Sequence, residues 1–241
     1  MNSIKIHLKN IGETNLSIGK VESILSTHYD QTPRTYEIWR GCKIESTGEL
    51  LDVFAIPKHT PWIDEKILQS SEVVKSIINY TQEDNKIVEV YHISEDYIIS
   101  KLYDGWYPCI IKSSVNFFGE DIFKERSDKH YEYFNDINRA KNFYGKGIDQ
   151  YRSFHHTTDC FFKDDASNNF IVNDDYSDFR ILDFGSLRYD KDKEIRIRSL
   201  MDGIGGVNGN DDMHIFGKPN FTQKDKLLID RLIAPPDLKG Q

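Results

Sequence analysis

Lys101, Asp104 and Gly105 are the residues whose types and spacing could do chemistry. They lie in 94-SEDYIISKLYDGWYPCII-111, where a β-type run through Tyr97, Ile98 and Ile99 delivers the lysine to a strand end. The acid and the glycine follow within four residues. A neutral lysine amine is a nucleophile, and burial or neighbouring cations free it at neutral pH. Held beside a nucleotide, it could attack the α-phosphate, while the glycine lets backbone approach closely. The same residues also fit an ordinary hairpin with an Asp-Gly turn.

A second place to look is His155-His156, which invites a metal or acid–base role. Its surroundings read as strand, and adjacent strand residues point to opposite faces, so the pair is left without a function. The three cysteines, Cys42, Cys109 and Cys160, form no CxxC pair. That predicts reduced thiols and no structural zinc.

Bulk composition narrows the classes. The chain has 241 residues, enough for a sizeable core. With 38% hydrophobic and 29% charged residues it reads as folded rather than disordered. A net charge of −8 weighs against a surface that binds nucleic acid throughout, but leaves room for a local basic groove. The sequence has no 18-residue apolar run and its first residues lack a signal-peptide core, so the expectation is a cytoplasmic protein without a membrane partner.

The elements that must position these residues follow from periodicity. Residues 3–9 alternate and predict a strand. A Gly/Asn/Thr-rich loop follows, with Gly12 and Gly19. Residues 35–58 predict two or three strands around a turn at Ser46-Thr47-Gly48. Residues 63–80 predict one amphipathic helix, with Ile63, Ile67, Leu68, Val74, Ile77 and Ile78 near helical spacing. KIVEVYHI, DYIISKLY and WYPCIIK read as strands, and 120–152 as one or two helices. FFKDDASNNFIV and FRILDFGSLRY read as strand again, and a short helix ends at Pro235-Pro236. The sum is α+β, with antiparallel sheets and flanking helices. No linker is visible, so one domain over 1–241 is expected.

Five segments, in order, resemble the bacteriophage T4-type, ATP-dependent RNA ligases. They are 39-WRGCKIESTGELLDVFAIPK-58, the lysine segment, 161-FFKDDASNNFIV-172, FRILDFGSLRYDKDKEI and 201-MDGIGGVNGNDDMHIFGK-218. The lysine motif reads K-L-Y-D-G here, one residue longer than the family's K-x-D-G. The resemblance covers about residues 35–220 and implies a nucleotidyltransferase, ATP-grasp-like ligase domain. It implies that Lys101 forms a lysyl-AMP from ATP, with Asp104 and Lys218 also catalytic. Arg40, Lys58, Gly105 and Phe162 would bind the nucleotide, and Asp164 and Asp202 would hold Mg²⁺. The partner would be an RNA end, a broken tRNA among the choices. Against these stand plain readings. Arg40 and Lys58 also fit solvated strand ends, and Asp164-Asp165 and Asp202-Gly203 fit turns. Lys218-Pro219 also fits a loop.

A second resemblance is to the protein kinases. Asp164 and Asn169 are spaced as in a kinase catalytic loop, and Asp183-Phe184-Gly185 gives a DFG further on. That resemblance implies Asp164 at the substrate hydroxyl, and Asn169 and Asp183 on Mg²⁺. Lys58 stands near the place of the V-A-I-K lysine, and Glu72 lies on the helix that precedes the paired strands. The loop lacks His-Arg before its Asp, and Gly12 and Gly19 make a poor glycine-rich loop. A third reading is a non-catalytic nucleotide or RNA binder on the same scaffold.

Overall fold

The computed structural model describes residues 3–27, 33–57, 63–83, 85–108, 129, 132–133, 136–162, 170–182 and 184–191. The described residues are α+β, with three antiparallel sheets and a few helices. It divides into two compact units: residues 1–105, 154–163 and 182–191 form the first, and 106–153, 164–181 and 192–241 the second.

The first unit is built on a seven-stranded sheet. Its strands are β1 (Ser3–Leu8), β2 (Gly12–Ser17), β3 (Lys20–Thr27), β4 (Pro33–Ile44), β5 (Leu50–Pro57), β6 (Val90–Ile93) and β7 (Tyr97–Lys101). The order is β1-β2-β4-β5-β7-β6, with β3 also paired to β4. Alternation in β1 buries Ile4 and Ile6 and exposes Ser3 and Lys5, as period-2 patterning requires. Those two join Leu16, Trp39, Val53, Ala55 and Ile99 in one core cluster. Burying each large aliphatic side chain contributes about 1.5–3 kcal/mol.

The loop expected around Gly12 is in fact strand β2. Gly12 sits at φ +82 and closes a three-residue connection in which the Ile11 N–H donates to the Leu8 carbonyl. Weak β-formers then continue as strand because β1 pairs with them residue by residue and Leu16 is buried. Strand β3 also escapes the sequence reading, since Lys20, Glu22 and Ser23 mask its alternation.

The helix expected over 63–80 is two helices, α1 (Glu65–Leu68) and α2 (Ser71–Thr81). Ser70 breaks it, because its hydroxyl accepts the Val73 N–H at 3.3 Å and caps α2. Asp64 caps α1 in the same way and also accepts the Tyr189 N–H at 3.3 Å.

The long helix α3 (Ile137–Thr158) carries Phe154, which packs on Tyr80 and Phe162 in the first unit. Its earlier residues Phe143 and Tyr151 pack on Phe170 in the second unit. His155 and His156 therefore lie in the last turn of a helix and not on a strand. The His155 ring meets the Asp190 carbonyl at 2.8 Å.

The small sheets complete the units. Strands β9 (Cys160–Phe162) and β12 (Leu187–Tyr189) pair in the first. Strands β8 (Tyr107–Pro108), β10 (Phe170–Val172) and β11 (Phe179–Ile181) pair in the second. Among the described residues, no helix is long and apolar enough to cross a membrane.

Candidate functional site

Lys101 ends β7, opposite Val53 of β5. Its backbone N–H donates to the Glu89 carbonyl at 2.8 Å, and its Nζ donates to Glu89 Oε1 at 2.6 Å. The other Glu89 oxygen accepts the Tyr91 hydroxyl at 3.1 Å. Nζ also lies 5.6 Å from the centre of the Tyr103 ring. Burial, and then the Glu89 charge, push the Tyr91 hydroxyl above its ordinary range, so it stays a donor.

Arg40 is placed by a β-bulge. Trp39 pairs with Val53 and Cys42 with Leu51, so Arg40 and Gly41 together stand opposite Asp52. Gly41 takes φ +63 there, which costs a glycine little. The Asp52 carboxylate accepts the Gly41 N–H at 2.7 Å and Arg40 Nη1 at 3.0 Å. Those contacts, the Gly41 N–H foremost, hold Asp52 below the usual carboxylate range. Nη1 and Nη2 also donate to Asp104, at 3.3 and 3.4 Å. Asp104 and then Asp52 raise Arg40 above its ordinary value.

Thus Arg40 and Asp104 meet, and Lys101 ends the strand that leads to Asp104. Gly105 follows with φ +74. The Leu102 N–H donates to the Asp52 carbonyl at 3.1 Å, which ties this exit from β7 back to β5. Asp52, Glu89, Tyr91 and Tyr103 are the members that sequence reasoning missed.

Phe162 lies apart from that cluster. It is buried, and its ring stands 5.1 Å from Phe154 and 5.5 Å from Phe184. Lys58, Asp164, Asn169, Asp183, Asp202 and Lys218 lie outside the described residues. Their flanking strands are described, however. Residues 163–169 join β9 to β10, and residues 182–186 join β11 to β12. Phe162 pairs with Leu187, and Phe170 pairs with Ile181.

In the second unit, the Arg180 guanidinium lies over the Trp106 ring at 5.5 Å and donates to Asp178 at 2.7 Å. Among the described residues, no three of His, Cys, Asp or Glu cluster to hold a metal ion. No family model matches the chain, and neither does any curated protein.

Proposed function

We propose that this chain is a small protein-kinase-like phosphotransferase. The observation that carries the reading is the order of its parts along the chain, which ends in two acidic segments. One segment holds Asp164 and Asn169; the other holds Asp183-Phe184-Gly185. A carboxylate and an amide oxygen are the hard donors that Mg²⁺ accepts.

Strand β5 runs through Ala55-Ile56-Pro57 directly ahead of Lys58, where kinases carry the phosphate-binding lysine. Helix α2, with Glu72 in its first turn, comes next. Strands β6 and β7 return to the sheet, β7 beside β5. Helix α3 and the Asp/Asn segment follow, then Asp183-Phe184-Gly185. That is the sequence in which the kinase parts occur.

In this mechanism Asp164 accepts the proton of a substrate hydroxyl as its oxygen attacks the γ-phosphorus of ATP. The bond to the β,γ-bridging oxygen breaks, and ADP leaves. Lys58 would pair with the phosphates, and Asn169 and Asp183 would hold Mg²⁺. When bound, the metal neutralises charge on the transferring phosphoryl group.

The rival, an ATP-dependent RNA ligase acting through a lysyl-AMP on RNA ends, rests on Lys101 at a strand end before Asp104-Gly105. Its cations Lys58 and Lys218 lie outside the described residues, and the described partner of Lys101 Nζ is the carboxylate of Glu89. Intact-mass measurement after incubation with ATP and Mg²⁺, with and without a Ser/Thr-rich acceptor peptide, tests both. The expected result is a gain of about 80 Da on chain or peptide, lost in Asp183→Ala and kept in Lys101→Ala. A gain of roughly 329 Da lost in Lys101→Ala would establish the ligase chemistry instead. No gain and no ATP consumption would leave a non-catalytic nucleotide or RNA binder.

A further inference from the structure

We propose that the N-terminal β1–β2 hairpin is a built-in positioning element for helix α2, with Gln82 as its pin. Strand β1 is the last strand of the sheet path, and an edge strand presents open N–H and C=O groups. The segment just after α2 takes up that edge. Gln82 Oε1 accepts the Lys9 N–H at 2.7 Å, while its Nε2 donates to the His7 carbonyl at 2.8 Å and to the Val90 carbonyl at 2.8 Å. One amide thereby uses three of its four bonding positions and joins β1, the end of α2 and β6.

Two further contacts run the same way. The His7 ring Nε2 meets Asn79 Oδ1 at 3.2 Å, and Lys9 Nζ meets Glu83 at 3.1 Å. The outward residues of β1 thus face the last turn of α2, while Ile4 and Ile6 hold the hairpin in the core. Strand β2 pairs with β4 through Leu16 and Ser17, and the Glu45 N–H donates to the Asn15 carbonyl at 2.9 Å. A hairpin held by the core and the sheet, and bonded through side chains to one helix end, fixes where that helix end sits.

The consequence for activity rests on the phosphotransferase reading. There the helix carries the acid that must meet the phosphate-binding lysine, and helix position decides activity. Gln82 touches no reacting group in this account, so it acts through α2 alone.

Hydrogen–deuterium exchange on the full chain tests this, alongside ATP turnover with Mg²⁺. Gln82→Met keeps side-chain length and removes all three bonds. The expected result is roughly tenfold faster exchange over 71–81, with 97–101 unchanged. Turnover should show a lower kcat with the KM for ATP nearly constant, while Lys20→Ala moves neither. Should Gln82→Met fail to fold, Asn79→Ala carries the same comparison in milder form. Unchanged exchange over 71–81 overturns the pin. Faster exchange with kcat unaltered overturns its positioning role. A wild-type chain that never consumes ATP sinks the phosphotransferase reading instead, and the exchange result still decides the pin.

Discussion

Glu89 faces Lys101 because β6 carries one extra residue. Val90 pairs with Ser100, but His92 pairs with Ile99, so Tyr91 has no partner of its own. Without that bulge Lys101 would stand opposite Val90. With it, an opposite-charge pair forms across the two strands.

The same geometry predicts an asymmetry between the two partners. The Lys101 and Glu89 side chains are 41% and 33% exposed, so their ion pair is worth little. Lys101→Ala should cost less than about 1 kcal/mol in urea unfolding. Glu89→Ala also removes the acceptor of the buried Tyr91 hydroxyl and should cost about 1–3 kcal/mol. Equal losses in the two variants would show that the ion pair, not the tyrosine, is what Glu89 serves.

Gly19 lets the β2–β3 connection run close alongside β4. A Cβ there would overlap the Arg40 carbonyl and crowd Gly41, all backbone atoms that cannot swing aside. Gly19→Ala should destabilise by about 1–3 kcal/mol, by overpacking. Gly41→Ala meets no neighbour but places a side chain at φ +63, which costs about 1–2 kcal/mol. Urea midpoints at constant slope would measure both. A Gly19→Ala chain as stable as wild type would mean that the connection can draw back from β4.

Much of the sheet is legible in the sequence, and the site is less so. β1, β4, β5, β6 and β7 announce themselves by alternation or by β-branched runs. β2 and β3 do not, because the pairing that makes them strands lies in other parts of the chain. The partners of Lys101 and Arg40 are hidden for a related reason. Period-2 logic assumes constant register, and each partner depends on a bulge that shifts it by one. Arg40-Gly41 opposite Asp52 and Tyr91 opposite nothing leave no periodic trace. His155-His156 misled because Phe161 and Phe162 beyond it look like strand, while the helix beginning at Ile137 reaches past it to Thr158.

Asp52 gives the fold an acid-sensitive contact. Its folded pKa lies below the ordinary carboxylate value, through the Gly41 N–H first and Arg40 second. A depressed folded pKa contributes stability above the unfolded value, about 3.9, and loses it as pH falls through the folded one. Stability should therefore drop more steeply below about pH 4 in wild type than in Asp52→Asn. Chemical unfolding at stepped pH compares the two curves. Identical acid slopes would remove Asp52 from the account, and with it the bulge as an acid-labile point.

Cys160 should be inert toward thiol reagents while the chain is folded. It is fully buried at the start of β9, and burial pushes its thiol up to about 12. Cys42 is buried too, and burial raises its thiol in the same direction, against a Gly19 N–H contact that lowers it. Thiolate is the reacting form, so both lack the charge and the access that alkylation needs. Peptide mapping after iodoacetamide at pH 8 should find Cys42 and Cys160 unmodified, and both modified once urea unfolds the chain. Since each thiol sits in a different sheet of the first unit, the two labelling rates also read whether that unit opens as one body. Matched rates across a urea series mean a single cooperative opening. Earlier labelling of Cys160 would mean that β9 and β12 part before the seven-stranded sheet does.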